Sequence, residues 1–176
     1  MYMNSKVFTP RFLVVTLLIL GAALMRLIPH LPNFTPVAAI ALFGGAYMGR
    51  KLYAFLVPFA VLFISDLVLG FHNYMFAVYL SFAITVAIGI LISKKTNVLS
   101  VIAGAVSSAV IFFILTNFAV WVLTPQYSKD FAGLINCYTM ALPFFNNGLL
   151  GDLFYTTVLF GSFYFARLRF PSLAKV

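Results

Sequence analysis

The chain has 176 residues, of which 64% are hydrophobic and only 8% are charged, and its formal net charge is +8. Soluble domains carry about 25% charged residues, so this composition excludes a soluble globular fold and indicates a bundle of helices in a lipid bilayer. The basic residues stand in ones and twos between apolar segments, which is typical of membrane topology signals and excludes nucleic acid as the expected partner.

The apolar segments predict an all-α integral membrane protein, with six transmembrane helices in one bundle and a single domain over residues 1–176. A span needs about 20 apolar residues. The predicted spans cover about 11–28, 35–49, 52–70, 74–93, 98–124 and 147–168. The second is short, and Pro29 and Pro32 are expected to stop the first helix before it. The apolar stretch before the last helix, 125–146, is expected to lie in the interface or to form a re-entrant segment.

The positions of lysine and arginine predict the orientation of these spans. With the N-terminus in the cytoplasm, nine of the eleven basic residues fall on the cytoplasmic side, namely Lys6, Arg11, Arg50, Lys51, Lys94, Lys95, Arg167, Arg169 and Lys175. Cytoplasmic loops of membrane proteins carry such an excess. We therefore predict an even number of spans, with both termini in the cytoplasm.

Polar residues within the spans collect at the opposite, outer end of the predicted bundle. A charge at the centre of a bilayer costs roughly 2.5–3.5 kcal/mol on insertion scales, so such residues call for a role. We predict that they line an outward-facing pocket for a small ligand. The candidate binding residues are Arg26, His30, Asp66, Tyr74, Ser81, Asn117, Trp121, Asn147, Asp152 and Tyr155.

A structural role is the alternative for the charged members of this set. Arg26 can pair with Asp66 or with Asp152 and so fasten helices together, and the sequence leaves the choice of partner open. Two aspartates against one arginine favour a neutral or cationic ligand. No nucleophile–base pair, cofactor motif or metal motif is recognisable, so neither enzymatic activity nor a cofactor is expected. Cys137 is the only cysteine, which excludes an intramolecular disulfide.

Four strings carry a resemblance to a known family: RLIPHLPNFTPVAAIALFGGAY, SDLVLGFHN, TNFAVW and CYTMALPFFNNGLLGDLFY. Across 26–155, the chain resembles a group of uncharacterised bacterial membrane proteins that are described as transport proteins. The resemblance implies a multi-pass protein of the bacterial inner (cytoplasmic) membrane.

The size, the six spans and the short second helix are more distantly similar to the S components of energy-coupling factor (ECF) vitamin transporters. That similarity implies a subunit that binds a vitamin-like nutrient from outside, together with an ECF-type membrane subunit and two ATPases as partners. The sequence leaves two other functions open. One is a stand-alone carrier in which Asp66 or Asp152 moves a proton or a sodium ion. The other is a structural or accessory subunit of a membrane complex.

Overall fold

A computed structural model describes residues 9–71 and 73–174, so Lys6 and Lys175 of the basic pattern lie outside the described residues. The described part consists of α-helices and a short 3-10 helix, Pro171–Ala174, and it contains no strand. The α-helices are α1 (Pro10–Met25), α2 (Val37–Tyr47), α3 (Lys51–Leu69), α4 (Met75–Ile92), α5 (Val98–Leu123) and α6 (Phe131–Arg169). The predicted all-helical class is therefore confirmed.

Four of the helices, α3 to α6, have the length and apolar composition needed to cross a membrane. The other two are shorter, with 16 residues in α1 and 11 in α2. At about 1.5 Å per residue, α2 is only about half as long as the hydrocarbon core of a bilayer is thick. The protein is thus a membrane protein in which one short helix lies among longer ones.

Residues 131–146 form the first part of α6, so the predicted start of the last helix at about 147 is wrong, and the predicted interfacial or re-entrant segment is not separate from this helix. This helix runs for 39 residues and continues through Pro143. Contacts with α5 hold its first part in place. The hydroxyl of Tyr138 donates to the carbonyl of Ile114 at 2.7 Å, and the rings of Phe113 and Phe145 lie 4.8 Å apart. Tertiary packing therefore keeps the segment helical despite its proline.

Asp130 fixes the start of α6. Its carboxylate accepts a hydrogen bond from the amide of Gly133 at 2.7 Å and another from the hydroxyl of Ser128 at 2.9 Å. Such an N-cap satisfies one of the amides that have no partner within the helix. The Gly133 amide, followed by the Ser128 hydroxyl, lowers the pKa of Asp130, because both donate to its charged form.

Consecutive helices run in opposite directions. Arg11, at the start of α1, donates from Nε to the carbonyl of Tyr47 at the end of α2, over 3.0 Å. The hydroxyl of Tyr79, early in α4, donates to Asp66, late in α3, over 2.9 Å. With the antiparallel contact of α5 and α6, the α1–α2, α3–α4 and α5–α6 connections lie at one end of the bundle. The polar residues predicted to form a pocket are near that end.

Helix α2 is the centre of the bundle, and residues 39–47 are all buried. It packs closely on α4 at two glycines. A Cβ atom on Gly45 would lie 2.3 Å from the carbonyl oxygen of Val86, and one on Gly89 would lie 2.3 Å from that of Leu42. Small residues allow such a close approach of two backbones.

The second half of α6 packs on the other side of α2 through aromatic rings. The ring centroids of Tyr47 and Phe163 lie 4.5 Å apart, and those of Phe43 and Phe160 lie 5.3 Å apart. In the α1–α2 connection, residues 27–33 are exposed, and only the last residues before α2, 34–36, are half-buried or buried.

Candidate ligand-binding site

A cavity of about 370 Å³ lies at the N-terminal end of α2, between the α1–α2 connection, α4, α5 and α6. The first residues of α2, Val37 and Ala38, form part of its wall. The polar residues that line it are Arg26, Asn33, Thr35, Tyr74, Thr85, Thr116, Asn117 and Asp152. Its volume falls at the lower end of the range for ligand pockets, roughly 300–1,000 Å³, so it suits a small molecule.

Arg26 enters the cavity from the end of α1, but its charge is already paired. Its Nη1 lies 2.6 Å from Oδ1 of Asp66 and also donates to the hydroxyl of Ser65. Asp66 is 2% exposed and accepts the hydrogen bond from Tyr79 as well. The structure thus selects Asp66 as the partner of Arg26, and this ion pair connects α1 to α3 and α4.

Asp152 also lines the cavity, but its hydrogen bonding differs from that of Arg26. Its side chain, in α6, is 8% exposed. It makes neither a hydrogen bond nor an ion pair with any residue in 9–71 or 73–174. Buried polar groups of proteins nearly always have a partner, and an unpaired buried charge is costly. A lone carboxyl group on a cavity wall is therefore a strong sign of a binding site.

Aromatic side chains form much of the remaining wall. The phenylalanines that line the cavity are Phe82, Phe112, Phe113, Phe144 and Phe145. The hydroxyls of Thr85 and Thr116 donate to carbonyls of their own helices, over 2.9 and 2.7 Å. Asn117 donates from its amide to the carbonyl of Phe113 at 2.8 Å, which leaves its amide oxygen as an acceptor for a ligand. The wall is thus apolar, with a few fixed polar groups.

Of the residues that the sequence predicts to bind ligand, the structure brings Arg26, Tyr74, Asn117 and Asp152 together at this cavity. They come from the end of α1, the start of α4, the later part of α5 and the middle of α6. Asp66 lies directly behind them, in contact with Arg26.

The other predicted residues lie elsewhere, and most of them have a local partner or a packing role. His30 is exposed, with Nδ1 2.6 Å from the carbonyl oxygen of Ile28. The hydroxyl of Ser81 donates to the Ala77 carbonyl, and Nε1 of Trp121 donates to the Ser128 carbonyl.

Two predicted residues of α6 also lie away from the cavity wall. Tyr155 is buried, and its ring packs on Phe34, with 5.7 Å between the centroids. Asn147 is half-buried next to Gly148, which lines the cavity in its place. A helix turns by about 100° per residue, so adjacent positions face different surroundings.

Several lining residues are absent from the predicted set. In α4, the lining positions Tyr74, Val78, Phe82 and Thr85 follow helical spacing from the predicted Tyr74, so that spacing could have found Thr85. Asn33 and Thr35 reach the cavity because the connection before α2 folds inward. The sequence carries no comparable signal for them.

Comparison with known proteins gives one match, to a protein-family model. No curated protein and no solved structure is significantly similar to the chain, so the likeness to S components stays a prediction. The matching model describes a family of unknown function, DUF6580, and it covers residues 6–173. Because this range includes the whole helical bundle described above, the chain belongs to the DUF6580 family of proteins of unknown function.

Proposed function

We propose that this protein is a membrane transport protein that binds a small organic nutrient in the cavity beside α2. The observation that carries the proposal is Asp152, a buried carboxyl group that lines the cavity and has no partner among the described residues. Ligand pockets are mostly apolar, with a few polar groups that orient the ligand, and this cavity has that composition. An ionisable residue within a membrane helix is itself a sign of a functional site.

In the proposed topology, all six helices belong to the membrane bundle and both termini are cytoplasmic. The basic residues support this topology, because most of those in the described part lie at the end of the bundle opposite the cavity. The residues at that end are Arg11, Arg50, Lys51, Lys94, Lys95, Arg167 and Arg169. Since cytoplasmic ends are the basic ones, the cavity faces outward. In a bacterium this membrane would be the inner membrane.

An S-component-like subunit is the form of transport protein that we favour. Its nutrient would be vitamin-like, and its partners would be an ECF-type membrane subunit and two ATPases. The small size of the chain and a cavity at the outer end support this form. No enzymatic activity and no cofactor are part of the proposal.

A stand-alone ion-coupled carrier is the second candidate, and Asp152 favours it. A membrane carboxyl group with no countercharge suits a group that takes up and releases a proton or a sodium ion. The ion pair between Arg26 and Asp66 would equally suit a structural subunit, but such a subunit has no need of a cavity. Proteins retained with the chain in mild detergent separate these candidates, since only an S component would retain two ATPases.

Small molecules that co-purify with the protein test the proposal. The protein is isolated from native membranes in mild detergent and denatured, and the released molecules are identified by mass spectrometry. We expect one small molecule in near-stoichiometric amount with the wild type. It should fall by roughly tenfold or more in Asp152→Asn, because the variant loses the charged contact.

Asp130→Asn is the matched control. It makes the same change at an exposed position away from the cavity, and asparagine also serves as an N-cap. This variant should keep the bound molecule. Recovery of no small molecule from the wild type, or full retention by Asp152→Asn, would contradict the proposed function.

A further inference from the structure

The charges around the cavity do not balance. Three charged side chains lie at this site: Arg26, Asp66 and Asp152. The first two are paired over 2.6 Å, and the hydroxyls of Ser65 and Tyr79 complete the surroundings of the pair. Asp152 stands apart from them, without a hydrogen bond from any described residue. One uncompensated carboxyl group therefore remains on the cavity wall.

We propose that the ligand is a small organic monocation, with a protonated amine that binds Asp152 and an apolar body that packs on the phenylalanines. This inference rests on the proposed function and names the chemical class of its ligand. A charged amine supplies both the missing positive charge and the hydrogen-bond donors that a carboxylate accepts. A cation bound there would stabilise the charged carboxylate of Asp152 as part of a buried, hydrogen-bonded pair.

Anionic ligands do not fit this set of charged side chains. An anion would face Asp152 without compensation, and Arg26 offers it no net positive charge, because Arg26 is already paired with Asp66, which is 2% exposed. Like charges placed together at a binding site weaken binding by orders of magnitude. Besides these side chains, the N-termini of two helices border the cavity: Val37 and Ala38 begin α2, and Tyr74 precedes the first residue of α4.

The N-terminus of α2 argues against a second positive charge on the ligand. Val37 and Ala38 line the cavity, and no side chain caps the amides of this first turn. A helix N-terminus carries roughly half a positive charge, so it offsets part of the charge of Asp152 and cannot replace a cation. A ligand with two positive charges would leave one of them without a countercharge at the cavity wall. The free amides of α2 suit an uncharged acceptor group elsewhere on the ligand.

The aromatic wall selects the body of the ligand. Phe82, Phe113 and Phe145 border the same space as Asp152. An organic ammonium within about 6 Å of a ring centroid is attracted by the ring face, and the apolar part of the ligand removes these rings from water. A hydrated metal ion gains nothing from such walls. The lining thus favours an amine with a hydrocarbon or aromatic body over an inorganic cation.

A series of probes that share one body and differ in charge tests this inference. The probes are 2-phenylethylamine, 2-phenylethanol and 3-phenylpropanoate, and the full-length protein in detergent is titrated with each by calorimetry and by thermal unfolding. We expect the amine to bind wild type and to raise its melting temperature. The alcohol and the carboxylate should bind more weakly by roughly thirtyfold or more, since neither brings a positive charge to the buried carboxylate.

Variants test whether the preference for the amine depends on the carboxyl group of Asp152. Asp152→Asn should lose the preference for the amine, whereas the exposed control Asp130→Asn should keep it. If Asp152→Asn does not fold, Asp152→Glu replaces it. That variant keeps the charge and must still prefer the amine over the alcohol.

Three results would overturn the inference: equal or tighter binding of the alcohol or carboxylate, an unchanged preference in Asp152→Asn, or no binding by any probe. The identity of the co-purified molecule distinguishes failure of this inference from failure of the proposed function. If the co-purified molecule is neutral or anionic and its binding depends on Asp152, the inference of a cationic ligand is overturned and the transport proposal stands. No co-purified molecule at all would overturn both.

Discussion

Replacing Arg26 by methionine is expected to destabilise the protein by about 3–5 kcal/mol, because the change leaves Asp66 buried without its countercharge. Asp66 is 2% exposed, and the arginine is its only ion-pair partner within the described ranges. The Tyr79 hydroxyl would remain as a donor to this carboxylate, but it carries no charge. Unfolding in mixed detergent micelles, followed by circular dichroism, measures the loss.

A second substitution shows whether the ion pair causes that loss. The double variant Arg26→Met/Asp66→Leu should recover most of the lost stability, since a buried pair that is replaced by apolar residues of similar volume is often neutral or stabilising. The single variant Asp66→Leu, which leaves Arg26 without its partner, completes the double-mutant cycle. If the single-variant losses simply added, the two residues would be independent and the pairing described here would be contradicted.

Replacing Gly89 by alanine is expected to cost roughly 1–3 kcal/mol, the usual cost of overpacking a tight core. The added Cβ would lie 2.3 Å from the carbonyl oxygen of Leu42 and 2.9 Å from the Cα of Gly45. Both are backbone atoms, so α2 and α4 must move apart to admit it. The same unfolding assay measures the effect.

Gly161→Ala is the control for this change. Gly161 also lies inside a helix, but a Cβ there would meet no atom within 4 Å. Alanine is less flexible than glycine in the unfolded chain, so this variant should gain about 0.4–1 kcal/mol. Equal effects at both glycines would mean that α2 and α4 are not in the close contact described.

The sequence predicted the long helices well, because each is an apolar run between short polar breaks. The spans predicted at 52–70, 74–93 and 98–124 correspond to Lys51–Leu69, Met75–Ile92 and Val98–Leu123. The start of α6 was missed, since Pro143 and the polar residues around it indicate a break. Contacts with α5, such as Tyr138 with Ile114, help to keep that segment helical, and these contacts are not visible in the sequence.

The polar part of the site was visible in the sequence, and its apolar part was not. Arg26 and Asp152 stand out because charges are rare in such an apolar chain. Which aspartate pairs with Arg26 depends on how α1 and α3 pack, so it needed the structure. Phe113 and Phe145 are two of 21 phenylalanines, and composition cannot separate a ring on the cavity wall from one that faces lipid.

The central claim is that a cavity lined by polar residues opens toward the outside, and cysteine accessibility tests it most directly. In a Cys137→Ala background, which removes the only cysteine, Thr116→Cys places a thiol on the cavity wall. Ser108→Cys is the control, since Ser108 lies in the same helix, is 0% exposed and is not part of the cavity wall. A membrane-impermeant maleimide is added to intact cells and, separately, to inverted vesicles.

We expect the maleimide to label Thr116→Cys in intact cells, and neither preparation to label Ser108→Cys. Labelling of Thr116→Cys in inverted vesicles alone, or in neither preparation, would contradict an outward-facing cavity.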